Sequence, residues 1–239
     1  MSDAFSLGLE TTELGFTYSI VRSKRKTAAI HVSHKGVVVR IPYGVTDAWC
    51  EQFVLARVDW IHKALNKQAL VLTRVPSIEF GEAVRILGRW RELDYQYQPS
   101  SAWQLSHDQL TYFAPNQPDN AKLVTLLQNW FKVLAQNEMP IKTQQLAKKM
   151  GLENRLKAIK FRRTKSKWGH CTSLGVIQYN PLIMGATPAV IEYLICHELC
   201  HLLQPNHSAK FWALVAKECE GYKEQMAWLK QHSLELSWC

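Results

Sequence analysis

Apolar and polar positions alternate through the first third of the chain, with a short period that predicts strands. Tyr18–Val21 and Ala29–Val32 read as two strands, and Val37–Ile41 follows as a third after the turn signal Ser33-His34-Lys35-Gly36. His31 and His34 fall in this alternation as a surface strand residue and a turn residue, with no carboxylate near them to suggest a ligand set. The period then lengthens. From Asp47 to Asn66, Phe53, Val54, Val58, Ile61 and Leu65 recur at helical spacing and predict one apolar helix face. Strand signals return at Ala83–Leu87, at Glu92–Tyr97 and in a hairpin-like stretch, Trp103–Phe113, that turns around Ser106-His107-Asp108. Residues 1–15 carry little pattern.

The second half is patterned differently. Ala114-Pro115-Asn116-Gln117-Pro118-Asp119 is the strongest break in the chain. It predicts a β-rich region with one helix over 1–115 and a helix-rich region over 116–239. Leu123, Leu126, Leu127, Trp130 and Leu134 mark an amphipathic helix from Lys122 to Gln136. Pro140 should kink or interrupt it before a second segment, Lys142–Met150, with Gly151 as its C-terminal cap. Strand signals at Leu156–Arg163 and Val176–Asn180 lead to Pro188–Leu203, which is apolar almost all round and therefore predicts a buried helix. Ser208–Cys219 and Tyr222–Leu229 read as the last helices. No internal repeat or low-complexity segment is present.

Polar residues inside the buried helix change the picture. His197-Glu198-Leu199-Cys200-His201 places two imidazoles four residues apart, one turn apart on one side of a helix. Both can reach one metal ion at about 2.0–2.1 Å. Glu198 is rotated about 100° from His197, beside the ligand pair, where a general base stands to take a proton from a water activated by the metal. Thr187 is placed to cap the helix and Pro188 suits its first position. Pro205 disfavours helix at Gln204, so the chain turns and His207 can return as a third ligand. Three protein ligands with an open fourth position describe a catalytic zinc. Ordinary hydrogen bonding of the histidines would leave Glu198 and His207 unexplained, and burying these groups without partners is costly.

Composition adds constraints. The chain has 239 residues, 47% of them hydrophobic and 21% charged, enough to bury a core. Met1–Ser6 lacks the basic and apolar regions of a signal peptide, and no apolar run is long enough to span a bilayer, so a cytoplasmic protein is expected. Six cysteines occur with no C-x-x-C pair, which suggests neither a zinc ribbon nor a disulfide framework. Cys196 and Cys200 read as small core residues rather than ligands. The net charge of +9 is concentrated: Arg155, Lys157, Lys160, Arg162, Arg163, Lys165 and Lys167 form a run without acids, and Arg22, Lys24, Arg25 and Lys26 form a smaller one. Such a run attracts phosphate groups of nucleic acid or nucleotides, and it also suits a solvated basic face.

The wider pattern is more particular. Trp168-Gly169-x-Cys171, Ile177-x-x-Asn180, His197-Glu198-Leu199-Cys200-His201, Pro205-Asn206-His207-Ser208, Phe211-Trp212 and Tyr222-Lys223 together resemble the YgjP-like metallopeptidase family. Arg22–Thr27 and Val39–Pro42 resemble that family's opening hairpin. The resemblance covers nearly the whole chain and is strongest from Lys165 to Leu229. It implies a zincin-like α+β fold, one zinc (Zn2+) per chain on His197, His201 and His207, and Glu198 as catalytic base. The motif region is also similar to SprT-type and WLM-type proteases, which act on proteins near DNA. His170 departs from the pattern of the resemblance, in which relatives usually carry a small serine there. The expected activity is metal-dependent hydrolysis of a peptide or protein. Tyr222, His170 and Arg162–Lys167 are candidates to stabilise the oxyanion. Two other readings keep the metal: a nucleoside triphosphate (phosphoanhydride) hydrolase using the basic stretch, and a DNA-associated protein with structural zinc. The first lacks a Gly-rich phosphate loop, and the second has no use for Glu198.

Overall fold

The computed structural model describes residues 14–33, 36–72 and 76–238, so the expectations for residues 1–13, His34 and Cys239 lie outside it. The chain divides into two compact units between Arg74 and Val75.

The first unit is built on β1 (Tyr18–Ser23), β2 (Ala29–Ser33) and β3 (Gly36–Pro42), in the order β1-β3-β2. β3 pairs parallel with β1 and antiparallel with β2. Alternation sends Val37, Val39 and Ile41 inward while Arg40 is exposed. These pack with Tyr18, Ile20, Cys50, Val54 and Ile61 into a small core. The helix expected over Asp47–Asn66 is two helices, α1 (Asp47–Leu55) and α2 (Val58–Leu72). The break is a tight turn in which Arg57 N donates to Val54 O, three residues back, at 2.9 Å. Val54 and Ile61 are buried on either side of it.

The second unit carries two sheets and four helices among the described residues. β4 (Ala83–Ile86), β5 (Arg89–Tyr97), β6 (Ala102–Leu105) and β7 (Gln109–Ala114) form one sheet in the order β4-β5-β7-β6. β8 (Ala158–Phe161), β9 (Gly169–Cys171) and β10 (Val176–Tyr179) form the other in the order β8-β10-β9. Around them lie α3 (Asn120–Lys149), a buried 3-10 turn (Pro181–Gly185), α4 (Pro188–Cys200), α5 (Ala209–Glu218) and α6 (Tyr222–His232). The architecture is α+β. No helix of the described residues is long and apolar enough to cross a membrane.

The compact units do not part at residue 115. Leu93 and Leu110 of the first sheet share one core with Leu123, Leu127 and Phe131 of α3, so burial joins what the Pro-containing stretch separates in sequence. That stretch is a connector whose last residue, Asp119, caps α3 by accepting from Lys122 N at 2.8 Å. The hairpin turn Leu87-Gly88 adds a second tie. Gly88, at φ +81°, lies against Thr187, and a Cβ there would come within 2.7 Å of the Thr187 methyl.

Pro140 does not interrupt α3. The helix runs unbroken over 30 residues, with Leu123, Leu127, Phe131, Ala135, Met139, Thr143 and Ala147 buried at every fourth position. Such a continuous stripe outweighs the cost of one proline, roughly 3 kcal/mol in a helix interior. The carbonyl that Pro140 cannot serve belongs to Gln136, an exposed residue that water can reach. Pro140→Ala should therefore stabilise the protein by about 1–3 kcal/mol, read as a higher urea midpoint with an unchanged slope.

Candidate metal centre

α4 begins as its sequence demands. Thr187 Oγ1 accepts from Val190 N at 3.4 Å and Pro188 occupies the first turn, where its missing N–H is no loss. The helix is buried because it packs against both α3 and α6, which accounts for its apolar circumference. It ends at Cys200 with His201 at the C-cap, and Gln204 N closes the turn onto Cys200 O at 2.9 Å. The chain then reverses through Pro205-Asn206 and enters α5. Ser208 takes the N-cap position there without a side-chain hydrogen bond.

This reversal brings the three histidines together. His201 Nε2 and His207 Nε2 lie 3.2 and 3.1 Å from His197 Nε2. A tetrahedral ion with bonds of about 2.0–2.1 Å sets its ligand nitrogens about 3.3 Å apart, so the spacing fits one metal ion. The other ring nitrogens favour the same outcome. His201 Nδ1–H donates to Gln204 O at 3.0 Å, which leaves the Nε2 lone pair free. Tyr193 Oη lies 3.5 Å from His197 Nδ1. Burial, and then the neighbouring His201 and His207, push the His197 pKa down to about 3, and burial also lowers that of His201. His197 and His201 are thus held as neutral imidazoles, the form in which histidine binds a metal. Fully buried Phe211 stacks under His201 with centroids 4.5 Å apart, and Trp212 stacks on His207 at 5.7 Å. His207 is exposed, so the group opens to solvent on that side.

Glu198 faces the same space. Its residue is 4% exposed, and Oε2 is buried with no hydrogen-bond partner in the protein. Burial raises its pKa to about 8, opposed by the charge of Lys167. A divalent ion at the three nitrogens would favour the carboxylate form and give it a partner. The close neighbour is Gly169 of β9. A Cβ at that position would stand 2.2 Å from Glu198 Oε1 and 2.6 Å from Cδ, so only glycine lets the strand approach the carboxylate.

A cavity of about 460 Å³ joins these groups, lined by all three histidines, Glu198, Tyr193 and the segment Lys167–Cys171. Of the residues considered for an oxyanion, Lys167 and His170 line it. Tyr222 does not; it stacks on Trp212 at 5.7 Å. Arg155 serves the fold, donating to Leu202 O at 3.0 Å in the turn after His201. Cys196 and Cys200 are buried away from the cavity, and Glu218 pairs with Lys149 and Lys217. Asn180 and Trp168 are also structural. Asn180 Nδ2 donates to Thr164 O at 3.0 Å, its N donates to Trp168 O at 2.8 Å, and Trp168 Nε1 donates to Ser233 Oγ at 2.9 Å.

Two cavity residues were not singled out from sequence for this role. Tyr193 lies one turn before His197, and that spacing was its available signal. Cys171 reaches the cavity from β9, with its thiol pushed up to about 11 by burial and by Glu198, which keeps it protonated and unreactive.

The model of the YgjP-like metallopeptidase domain matches residues 26–232. Among solved structures, the chain is similar to the metallopeptidase zymogen of Pyrococcus abyssi abylysin. The match has 20% identity over 40% of this chain and 96% of that one, with a TM-score of 0.36, a likeness too slight to bear on fold or site. No curated protein gives a match.

The close approach of Gly169 and Glu198 has a measurable consequence. Gly169→Ala should destabilise the protein by about 1–3 kcal/mol in chemical denaturation. Glu198→Ala combined with it should recover most of that loss, a coupling that a double-mutant cycle reads directly.

Proposed function

The chain belongs to the YgjP-like metallopeptidase family, and from that premise we propose that it is a zinc-dependent peptidase in which His197, His201 and His207 hold the metal and Glu198 is the general base. The observation that carries this reading is the convergence of three Nε2 atoms with the unpartnered Oε2 of Glu198 in one cavity.

Zinc in such a site supplies Lewis-acid chemistry, making a water acidic near neutral pH and polarising the substrate carbonyl. The protein does the rest. Glu198 accepts the proton of the attacking water and passes it to the leaving amine. Gln204 O fixes the tautomer and orientation of His201, and Tyr193 steadies His197. Gly169 lets β9 run beside the carboxylate. β10 is paired on both sides, so β9 is the edge next to the site where an extended peptide can add as a further strand. The free thiols of all five described cysteines suit the reducing cytoplasm expected from the sequence.

Glu198→Gln should keep its zinc and lose at least about a hundredfold in turnover of an unfolded protein. Metal analysis and a cleavage assay on the same preparation check both halves, and unchanged turnover would remove Glu198 from the mechanism. His207→Ala should bind markedly less than one zinc per chain; full occupancy would mean that the third ligand lies elsewhere. Glu198-dependent release of phosphate from nucleoside triphosphates, without cleavage of protein, would favour the nucleotide hydrolase instead.

A further inference from the structure

β9 forms a wall between two cavities. On one side lies the space of about 460 Å³ that holds the three imidazoles and Glu198. On the other lies a smaller cavity of about 170 Å³ that includes Thr164, Gln178 and Asn180. Lys167, Trp168, Gly169 and His170 line both, so a ligand group in the small cavity sits next to whatever occupies the larger one.

The polar side chains of the small cavity divide into two kinds. Asn180 uses both ends of its amide, donating to Thr164 O and accepting from Leu182 N, and Thr164 Oγ1 donates to Lys167 O. These bonds fix the loop that carries Lys167. The side chains of Lys167, His170 and Gln178 have no hydrogen bond or ion pair among the described residues. Strand register extends this free polar surface. His170 pairs with Gln178, and Gln178 with Lys160, so these three share one face of the sheet. The intervening positions, Cys171, Ile177 and Ile159, turn to the other face and belong to the core cluster or pack against it. Lys160, Lys167 and His170 are exposed. No Asp or Glu occurs between Glu153 and Glu192; the carboxylate on which the Lys167 charge acts is Glu198, with which it makes no ion pair.

We propose that the small cavity is a specificity subsite for an acidic side chain, Asp or Glu, of the peptide substrate, with Lys167 as its charge partner and His170 and Gln178 as hydrogen-bond donors. The inference rests on the peptidase reading and adds the substrate class. The volume suits a single side chain, and the shared wall makes it part of the molecule being cleaved. A nucleic acid would need aromatic faces on which to stack its bases. The aromatic residue of this cavity, Trp168, is tied to Ser233 and packed against the core.

The test is equilibrium binding to the zinc-loaded Glu198→Gln protein, which does not depend on turnover. Fluorescent peptides carry one Glu, Gln or Lys at successive positions of an otherwise constant sequence. At one position the Glu peptide should bind about tenfold tighter than the Gln peptide. Lys167→Gln should erase that ratio, and Lys167→Glu should reverse it in favour of the Lys peptide. Lys167 is exposed, so both variants should fold, which circular dichroism verifies. No preference for Glu at any position, or a ratio that survives Lys167→Gln, overturns the subsite. A single-stranded oligonucleotide that binds more tightly than every peptide, and loses affinity in Lys167→Glu, overturns it in favour of nucleic acid. Failure of the peptidase reading is distinct: the wild-type zinc protein would bind the Glu peptide with the same preference and leave it uncut.

Discussion

The Nε2 atoms of His201 and His207 each lie little more than 3 Å from that of His197 at the end of a largely apolar helix, and in the same cavity a buried carboxylate has an oxygen without a partner. In a bare protein that arrangement is unfavourable on two counts. The nitrogens share no proton that would satisfy all three, and Glu198 is desolvated. A divalent cation removes both penalties. Much of the second unit serves this arrangement: α4 supplies the spacing, the turn at Gln204–His207 supplies the third nitrogen, and α5 supplies the aromatic floor.

The site depends on close approach as much as on ligand identity. β9 can border Glu198 because Gly169 has no side chain to collide with the carboxylate. The loop before β9 is held by Asn180, which also starts the buried turn leading to α4. One residue thus links the wall of the histidine cavity to the helix that carries His197 and His201. Lys167 and His170 occupy the same wall on the side open to solvent. The structural half of the basic stretch, Arg155, and its cavity-facing end, Lys167, therefore have different physical roles despite equal charge.

The Glu198 pKa illustrates how position sets chemistry. Burial pushes this carboxyl up, Lys167 works against that rise, and the balance lies at about 8. Metal charge would act in the same direction as Lys167. The carboxyl of Glu198 is thus set by burial against one fixed cation of the protein, and an ion at the histidines would add to the latter.

Local spacing alone determined the strands of the first unit, the amphipathic character of α3, the capped start of α4 and the pair His197 and His201, because each depends on contacts within a turn or between adjacent residues. The reversal at Pro205 made it legible, for the same reason, that His207 could return toward that pair. What the sequence could not determine were features decided by packing at long range. Pro140 stays inside α3 because a stripe of seven buried positions holds the helix together across it. The break at Ala114–Asp119 is no boundary between units because β5 and β7 share their core with α3. Tyr193 and Cys171 join the cavity, and Tyr222 stays out of it, because the partner of each is set by how α4, α6 and β9 meet. Periodicity reports which face of an element is buried; only the tertiary structure decides what that face is buried against.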